Sequence, residues 1–377
     1  MAAALLLVIL LVAAGLRLVG LAWDGQSFVH PDERRILMAV GELHWPRPWD
    51  WSLVLGPRSP LNPRFFAYGS LPLYLLRLLG ALIGAGAEGL LVPGRALSAC
   101  FDLATIGVIY LAGRELGGRR AGLMAAALLA LTVLSIQLSH FLTVDTLLTF
   151  LCTLTVYLLL RVAASGSLRL GLAAGVCAGL ALATKAGALP LVLVAWTAWA
   201  AWALARPGPP PLGRALAGLV LGSGATAGAF LLAEPYALFD WFRFGAALYQ
   251  EAAMVRGRVD VPYTRQYLGT PAYLYPLRET ILWSLGLPLG LLACAGVLWL
   301  TWRGLRRGHR QEWVVLAWLW PYWLVVGSFH AKFSRYMAPL VPWLCLAAAL
   351  LLWQGWDWAQ ARPWRRRLVL SVGTAVF

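Results

Sequence analysis

The strongest constraint in this sequence is its repeated return to apolar stretches long enough to cross a bilayer. Residues 2–22 are almost wholly Ala, Leu, Val and Ile, with Arg17 the only charge. A stretch of roughly 20 such residues spans the hydrocarbon core. Comparable stretches recur at 95–112, 121–136, 146–160, 170–183, 189–204, 215–233, 280–302, 313–329 and 338–353. In lipid every backbone N–H and C=O must be paired within the protein, so such a chain folds as a helix bundle. At 60% hydrophobic and 12% charged over 377 residues, it carries more apolar surface than a soluble domain needs. Its 38 glycines suit close helix contact. The reading is all-α: a single domain, 1–377, of about ten spans.

Some segments need a decision. No basic region precedes the first stretch, so it reads as a retained helix and not as a signal peptide. Segment 71–91 is broken by Arg77 and four glycines. It reads as lying on the surface, because a span there would invert the loop charges that follow. Residues 368–377 begin a further helix too short to cross, so the chain reads as truncated or as ending in a half-span.

Orientation follows from arginine. Loops 113–120, 161–169, 206–214, 302–310 and 361–367 alternate with loops 23–93, 137–145, 184–188, 234–279 and 329–337. The first set holds most of the arginines and is cytoplasmic by the positive-inside rule. The second set holds twelve of the sixteen acids, both lysines, and His30, His44, His140 and His330. Chemistry therefore gathers on the outer face, at a cell membrane, from loops far apart in sequence. The net charge of +15 reads as loop charge and contacts to anionic groups, with no nucleic acid partner. There is no P-loop and no strand followed by GxGxxG, which argues against an ATP-driven pump or a Rossmann-type nucleotide-sugar enzyme. The five cysteines all lie in apolar segments and read as small buried hydrophobes, neither a disulfide framework nor a metal site.

The densest cluster of ionisable groups is WDGQSFVHPDERR, residues 23–35. Pro31 suits the first turn of a helix, and Asp32 and Glu33 complement its dipole. Neighbouring helical side chains point roughly 100° apart, so only one of the two acids should face a common site. Asp32 is the choice. Asp145 heads a span, where N-capping is its plain role. Asp102 lies within a span, as a structural partner or a functional acid. Lys332, Arg335 and Tyr336 in HAKFSRY suit a phosphate or pyrophosphate, as does Lys185 on a tight hairpin. In the long loop 234–279, DWFRFGAALYQEAAMVRG reads as an interfacial helix with Trp241, Phe244, Leu248 and Ala252 along one side. The remainder of that loop carries Tyr263 and Tyr267 beside Arg and Gln, as a sugar site would. His30 and Glu234 are further substrate-binding candidates. His330, Asp32 and Asp145 can supply ligands to a divalent metal.

Four features taken together resemble the GT-C glycosyltransferases: HPDE after the first span, D-x-L-L heading a later one, a GLALATK hairpin, and KFSRYMAPLVP. Within that class the resemblance is to the family 39 branch of bacterial phospholipid-carrier-dependent enzymes, akin to protein O-mannosyltransferases and the lipid A aminoarabinose transferase. It covers essentially the whole chain. It implies a GT-C bundle with interfacial helices in the first and fourth outer loops. The implied activity is sugar transfer from a polyprenyl-phosphate donor to a protein, lipid or glycan acceptor. Asp32 matches the general base, Asp145 the second acid with Glu33 beside Asp32, and Arg335 with Lys332 the donor-phosphate pocket. Many relatives continue into more helices and a soluble domain, which this sequence lacks. The competing reading is a transporter or flippase for a lipid-linked or polar solute. It predicts charges at mid-membrane and repeated halves, whereas here the charges lie at helix ends and no repeat is evident.

The arginine asymmetry makes a direct prediction. In intact cells, cysteines at Ser27→Cys and Ser334→Cys should both react with an impermeant reagent added from outside. Reaction of one of them only after permeabilisation would separate the two loops and end the shared-site reading.

Overall fold

The computed structural model describes residues 2–25, 27–206, 208–307, 310–360, 371, 373 and 374. The basic stretch 361–367 and most of 368–377 therefore lie outside the described residues. The elements are helices throughout: α1 (Ala2–Leu18), α2 (Pro31–Glu42), α3 (Trp51–Val54), α4 (Ser70–Ile83), α5 (Leu91–Ala130) and α6 (Val133–Ser139). Next come α7 (Asp145–Ser165), α8 (Leu168–Leu182), α9 (Leu191–Leu204), α10 (Leu212–Ala233), α11 (Tyr236–Phe239) and α12 (Trp241–Val255). The chain ends in α13 (Leu274–Glu279), α14 (Leu287–Arg307), α15 (Arg310–Gly327) and α16 (Val341–Ala359). Among the described residues, six helical stretches are long and apolar enough to cross a membrane, and α1, α4 and α8 are shorter apolar helices.

Small residues set the spacing. The long element α5 is two helices, reversed at Gly118 (φ 83°, ψ 176°), within the basic turn expected at 113–120. The arms press so closely that a Cβ on Gly122 would lie 2.5 Å from the Tyr110 carbonyl oxygen. Helices α8 and α10 meet in the same way: a Cβ on Gly179 would lie 2.3 Å from the Thr226 carbonyl oxygen. Helix α16 is the core element, with Trp343 and Cys345 through Ala349 fully buried. Inside the bundle Arg17 is also fully buried, paired with Asp102 and donating to Ala130 O at 2.8 Å. Asp102 is therefore a structural counter-ion, which explains how both charges are tolerated there.

Two segments differ from expectation. The span expected over 280–302 is broken into α13, a π-turn (Thr280–Ser284) and α14. Gly286 is left-handed (φ 81°) and Pro288 follows it, so one helix cannot run through. Helix α12 forms where an interfacial helix was expected; of the chosen side Phe244 packs inward, against Phe66 and Phe230, and Ala252 is half-buried. Trp241, Phe242 and Tyr249 are exposed, an apolar band suited to lying in lipid headgroups.

The loops at one end are stitched together. Gly69 N donates to Thr184 O (3.0 Å) and Leu71 N to Ala183 O (3.2 Å). This ties the first loop to the α8–α9 hairpin. Gly69, the N-cap of α4, has no side chain to cap with. Glu234, at the end of α10, supplies the acceptor instead: its carboxylate accepts from Ser70 N and from Ser70 Oγ. Glu234 is fully buried.

Two expected outcomes follow. Gly179→Ala should force α8 and α10 apart and cost about 1–3 kcal/mol, read as a lower thermal midpoint in detergent. Gly224→Ala, on α10 with open space beside it, should leave the midpoint unchanged or raise it. The second concerns Glu234, whose pKa burial pushes from 4.5 up to about 7. A raised pKa contributes stability that is complete below the unfolded value and is lost as pH rises through the folded one. The thermal midpoint should therefore fall between about pH 4.5 and 7, and more steeply in the wild type than in Glu234→Gln. Parallel curves for the two would remove Glu234 as the titrating group.

Candidate active site

The site begins at the start of α2. His30 is the N-cap: its Nδ1 accepts from the Asp32 amide at 3.2 Å, and Pro31 opens the helix. The ring packs on Phe141 with 4.7 Å between centroids. Burial holds the His30 pKa below its ordinary value, against the pull of Asp32. The next two side chains diverge. Glu33 turns inward, where Arg95 grips both its oxygens at 2.8 Å and Leu142 N donates at 2.7 Å. Arg95 also holds both oxygens of Asp24 at 2.9 Å. Glu33 and Arg95 are fully buried. This corrects the expectation of a catalytic Glu33, because its hydrogen-bonding capacity is spent on holding the loop to α5.

Asp32 faces the other way, its Oδ2 lying 2.7 Å from Arg335 Nη1. Asp145, at the first position of α7, is the next member. Its Oδ1 accepts from Lys185 Nζ at 2.9 Å, and its Oδ2 lies 3.9 Å from Arg335 Nε. The four groups form an alternating string, Asp32, Arg335, Asp145 and Lys185, drawn from four separate loops. Aromatic faces support the cations. Lys185 Nζ sits 4.9 Å from the Tyr336 ring centroid and 5.7 Å from that of Tyr68, and Arg335 lies 4.9 Å over Phe333. Side chains of Asp32, Arg335 and Lys185 remain about one-fifth exposed, whereas Asp145 is buried. Buried Thr143 Oγ1 and Thr146 Oγ1, flanking Asp145 in sequence, have no hydrogen-bond partner among the described residues.

Other candidates fall around this string. Tyr267 is buried and packs edge-on against Phe333 (5.3 Å), and Tyr263 packs on the same ring (6.2 Å) while its OH donates to Met254 Sδ. Both tyrosines thus buttress the shelf under Arg335. Lys332 is set apart: it is buried, and its Nζ donates to the His330 carbonyl at 3.1 Å. Burial lowers its pKa. Glu234 is the strut for Ser70 described above, which corrects its expected substrate-binding role. The metal expectation is corrected as well. Among the described residues no three His, Cys, Asp or Glu side chains gather to hold an ion. Asp32 and Asp145 flank a guanidinium, where a dication would meet a like charge, and His330 packs at Gly257.

Two residues of the site were missed in the sequence. Burial, and then the Asp32 charge, pushes the Tyr68 phenol well above its usual pKa. Burial likewise raises the Glu251 carboxyl, which feels Lys185, Asp32 and Arg335. Tyr68 lay in a Trp- and Pro-rich stretch, and Glu251 read as the polar edge of an amphipathic helix. No local pattern marked either.

The fold has known counterparts. No curated protein matches the sequence. The family described as dolichyl-phosphate-mannose-protein mannosyltransferase matches residues 70–223. The archaeal oligosaccharyltransferase AglB of Archaeoglobus fulgidus, in complex with an inhibitory peptide and a dolichol-phosphate, is similar in structure (TM-score 0.65, 16% identity). The match covers 100% of this chain and 54% of that one. ArnT of Cupriavidus metallidurans, bound to undecaprenyl phosphate, matches with a TM-score of 0.59 at 22% identity, covering 93% of this chain and 59% of its own. The Pmt1-Pmt2 complex of S. cerevisiae bound to the sugar donor matches over 64% of this chain and 34% of its own, with a TM-score of 0.50 and 19% identity. The chain thus spans little more than half the length of the first two. The likeness is one of fold: an all-helical bundle with the GT-C architecture of these structures.

Proposed function

We propose that the protein is a glycosyltransferase of the cell membrane. It moves a sugar from a polyprenyl-phosphate carrier to an acceptor hydroxyl or amine on the extracytoplasmic side. The observation that carries this reading is the alternating string of Asp32, Arg335, Asp145 and Lys185 at one end of the bundle. It joins a base to paired cations in a half-open setting. The lipid phosphates bound in the AglB and ArnT structures support the donor class.

The chemistry runs as a single displacement. A donor phosphodiester arrives as an anion and takes Arg335 as a bidentate partner. That exchange releases Asp32 Oδ2 from its ion pair. Asp32 then accepts the proton of the acceptor hydroxyl as its oxygen attacks the anomeric carbon. The bond from that carbon to the phosphate oxygen breaks, and its electron pair leaves with the polyprenyl phosphate. Arg335 and Lys185 stabilise the second negative charge that develops there. Asp32 returns its proton to water. Asp145 is buried and held by Lys185, so it serves to position that cation. With Asp32 acting as base and the acceptor attacking the anomeric carbon directly, the product anomer is inverted.

The test is release of free polyprenyl phosphate in membranes given a lipid-linked sugar and an acceptor. Asp32→Asn should lower turnover by roughly 10²–10⁴-fold. Arg335→Lys should weaken transfer although charge survives, because a lysine offers one point contact where the guanidinium offers a fork. Arg335→Ala should do worse. Wild-type release by Arg335→Ala would show that the phosphate binds elsewhere. Movement of intact donor between leaflets, with no polyprenyl phosphate formed for any acceptor, would favour a flippase.

A further inference from the structure

The opposite end of the bundle holds a second polar site. Helix α7 carries Asp145 at its first position and Ala163 near its last. At about 1.5 Å per residue the two lie on the order of 27 Å apart. Around Ala163, the end of α14 and the start of α15 enclose a cavity of about 570 Å³ lined by Arg303, Arg310, Gln311 and Glu312. Glu312 is only 4% exposed. Its Oε1 lies 2.8 Å from Arg303 Nε, while among the described residues its Oε2 has no hydrogen-bond partner, and neither has the buried Nη1 of Arg310. Arg303 is further braced over the Trp299 ring at 5.0 Å, and Trp313 Nε1 pins the corner by donating to Gly304 O at 2.9 Å.

These atoms set the chemistry of a ligand. Two arginines and one carboxylate leave a single positive charge, to which the positive end of α15, an 18-residue helix, adds. The unpartnered arginine nitrogen needs an acceptor, and the unpartnered carboxylate oxygen needs a donor. A buried polar atom left without its partner is destabilising, and a ligand that supplies the partner removes that cost. One molecule can serve both if it carries a singly charged phosphodiester and, a few atoms away, a hydroxyl. We propose that this cavity binds the phosphodiester headgroup of a hydroxyl-bearing anionic lipid, phosphate on Arg310 and hydroxyl on Glu312, at the end of the bundle remote from the candidate active site. A phosphate monoester, with two negative charges, would overcharge the site. A headgroup lacking the hydroxyl would leave Glu312 Oε2 unserved.

The experiment uses the full chain in phosphatidylcholine nanodiscs, with thermal midpoint and native mass spectrometry as readouts. Phosphatidylglycerol is titrated in one arm, and its water-soluble deacylated form, glycerophosphoglycerol, in the other. Wild type should bind phosphatidylglycerol saturably and more tightly than phosphatidylmethanol, which has the same charge but no hydroxyl. Arg310→Gln should weaken binding at least about tenfold while keeping the wild-type midpoint in phosphatidylcholine alone. Arg310-dependent binding of phosphatidylglycerol only upholds a lipid site. The same dependence for glycerophosphoglycerol upholds the site and makes its ligand a soluble diester. Wild-type affinity in Arg310→Gln would overturn the proposal. If that variant does not fold, the wild-type comparison decides, and equal binding of phosphatidylglycerol and phosphatidylmethanol overturns it.

Discussion

Arg95 is the interaction on which the active end of the molecule depends. It rises from α5, fully buried, and binds two carboxylates of the first loop with four short hydrogen bonds. Losing one partner of such a buried group costs about 3–5 kcal/mol, because the remaining charges stay buried and uncompensated. Arg95 thereby fixes the rotation of α2 about its axis. With Glu33 locked inward, Asp32 has no choice but to face Arg335. The loop contributes one acid to structure so that the adjacent acid can be held at a defined angle.

Charge alternation then does at the site what hydrophobic packing does in the bundle. Four like-signed or unpaired groups could not sit at the edge of a low-dielectric slab, where Coulomb energies are several-fold larger than in water. Ordered as acid, base, acid, base, they compensate one another in the free protein and can exchange partners with an arriving anion. The aromatic faces of Tyr68, Tyr336 and Phe333 favour the cations without spending the acids' lone pairs. This leaves the string adaptable as well as stable.

Much of this architecture is legible in one sequence, because apolar periodicity, arginine-rich turns and punctuating glycines act over short distances. The reversal at Gly118, the α8–α9 hairpin and the interfacial helix α12 all belong to that class. The convergence of loops bearing Asp32, Asp145, Lys185 and Arg335 could be read from sidedness alone. The partners could not. That Glu33 answers Arg95, 62 residues away, and that Glu234 caps Ser70, 164 residues away, depends on packing that no local pattern encodes. The two acids of HPDE look alike in sequence, and only the bound arginine distinguishes strut from site. The same holds for Glu251 and Tyr68, which reach the site by virtue of where their helix and loop dock. The break at Gly286 was visible as a residue, but glycine is common within these helices and is usually a packing device.

The main-chain stitch between Gly69 and Thr184 divides the site mechanically. It joins Tyr68 and the hairpin tip bearing Lys185 into one body, to which Arg95 adds the start of α2 and the Asp145 approach through Leu142. Across from it, His330 N donates to Val255 O at 2.7 Å, joining α12 with Glu251 to the strand of chain that carries Arg335. The contacts of Arg335 with Asp32 and Asp145, and of Lys185 with Tyr336, are then a side-chain seam between two braced walls. A ligand that parts those side chains need break no backbone hydrogen bond on either side.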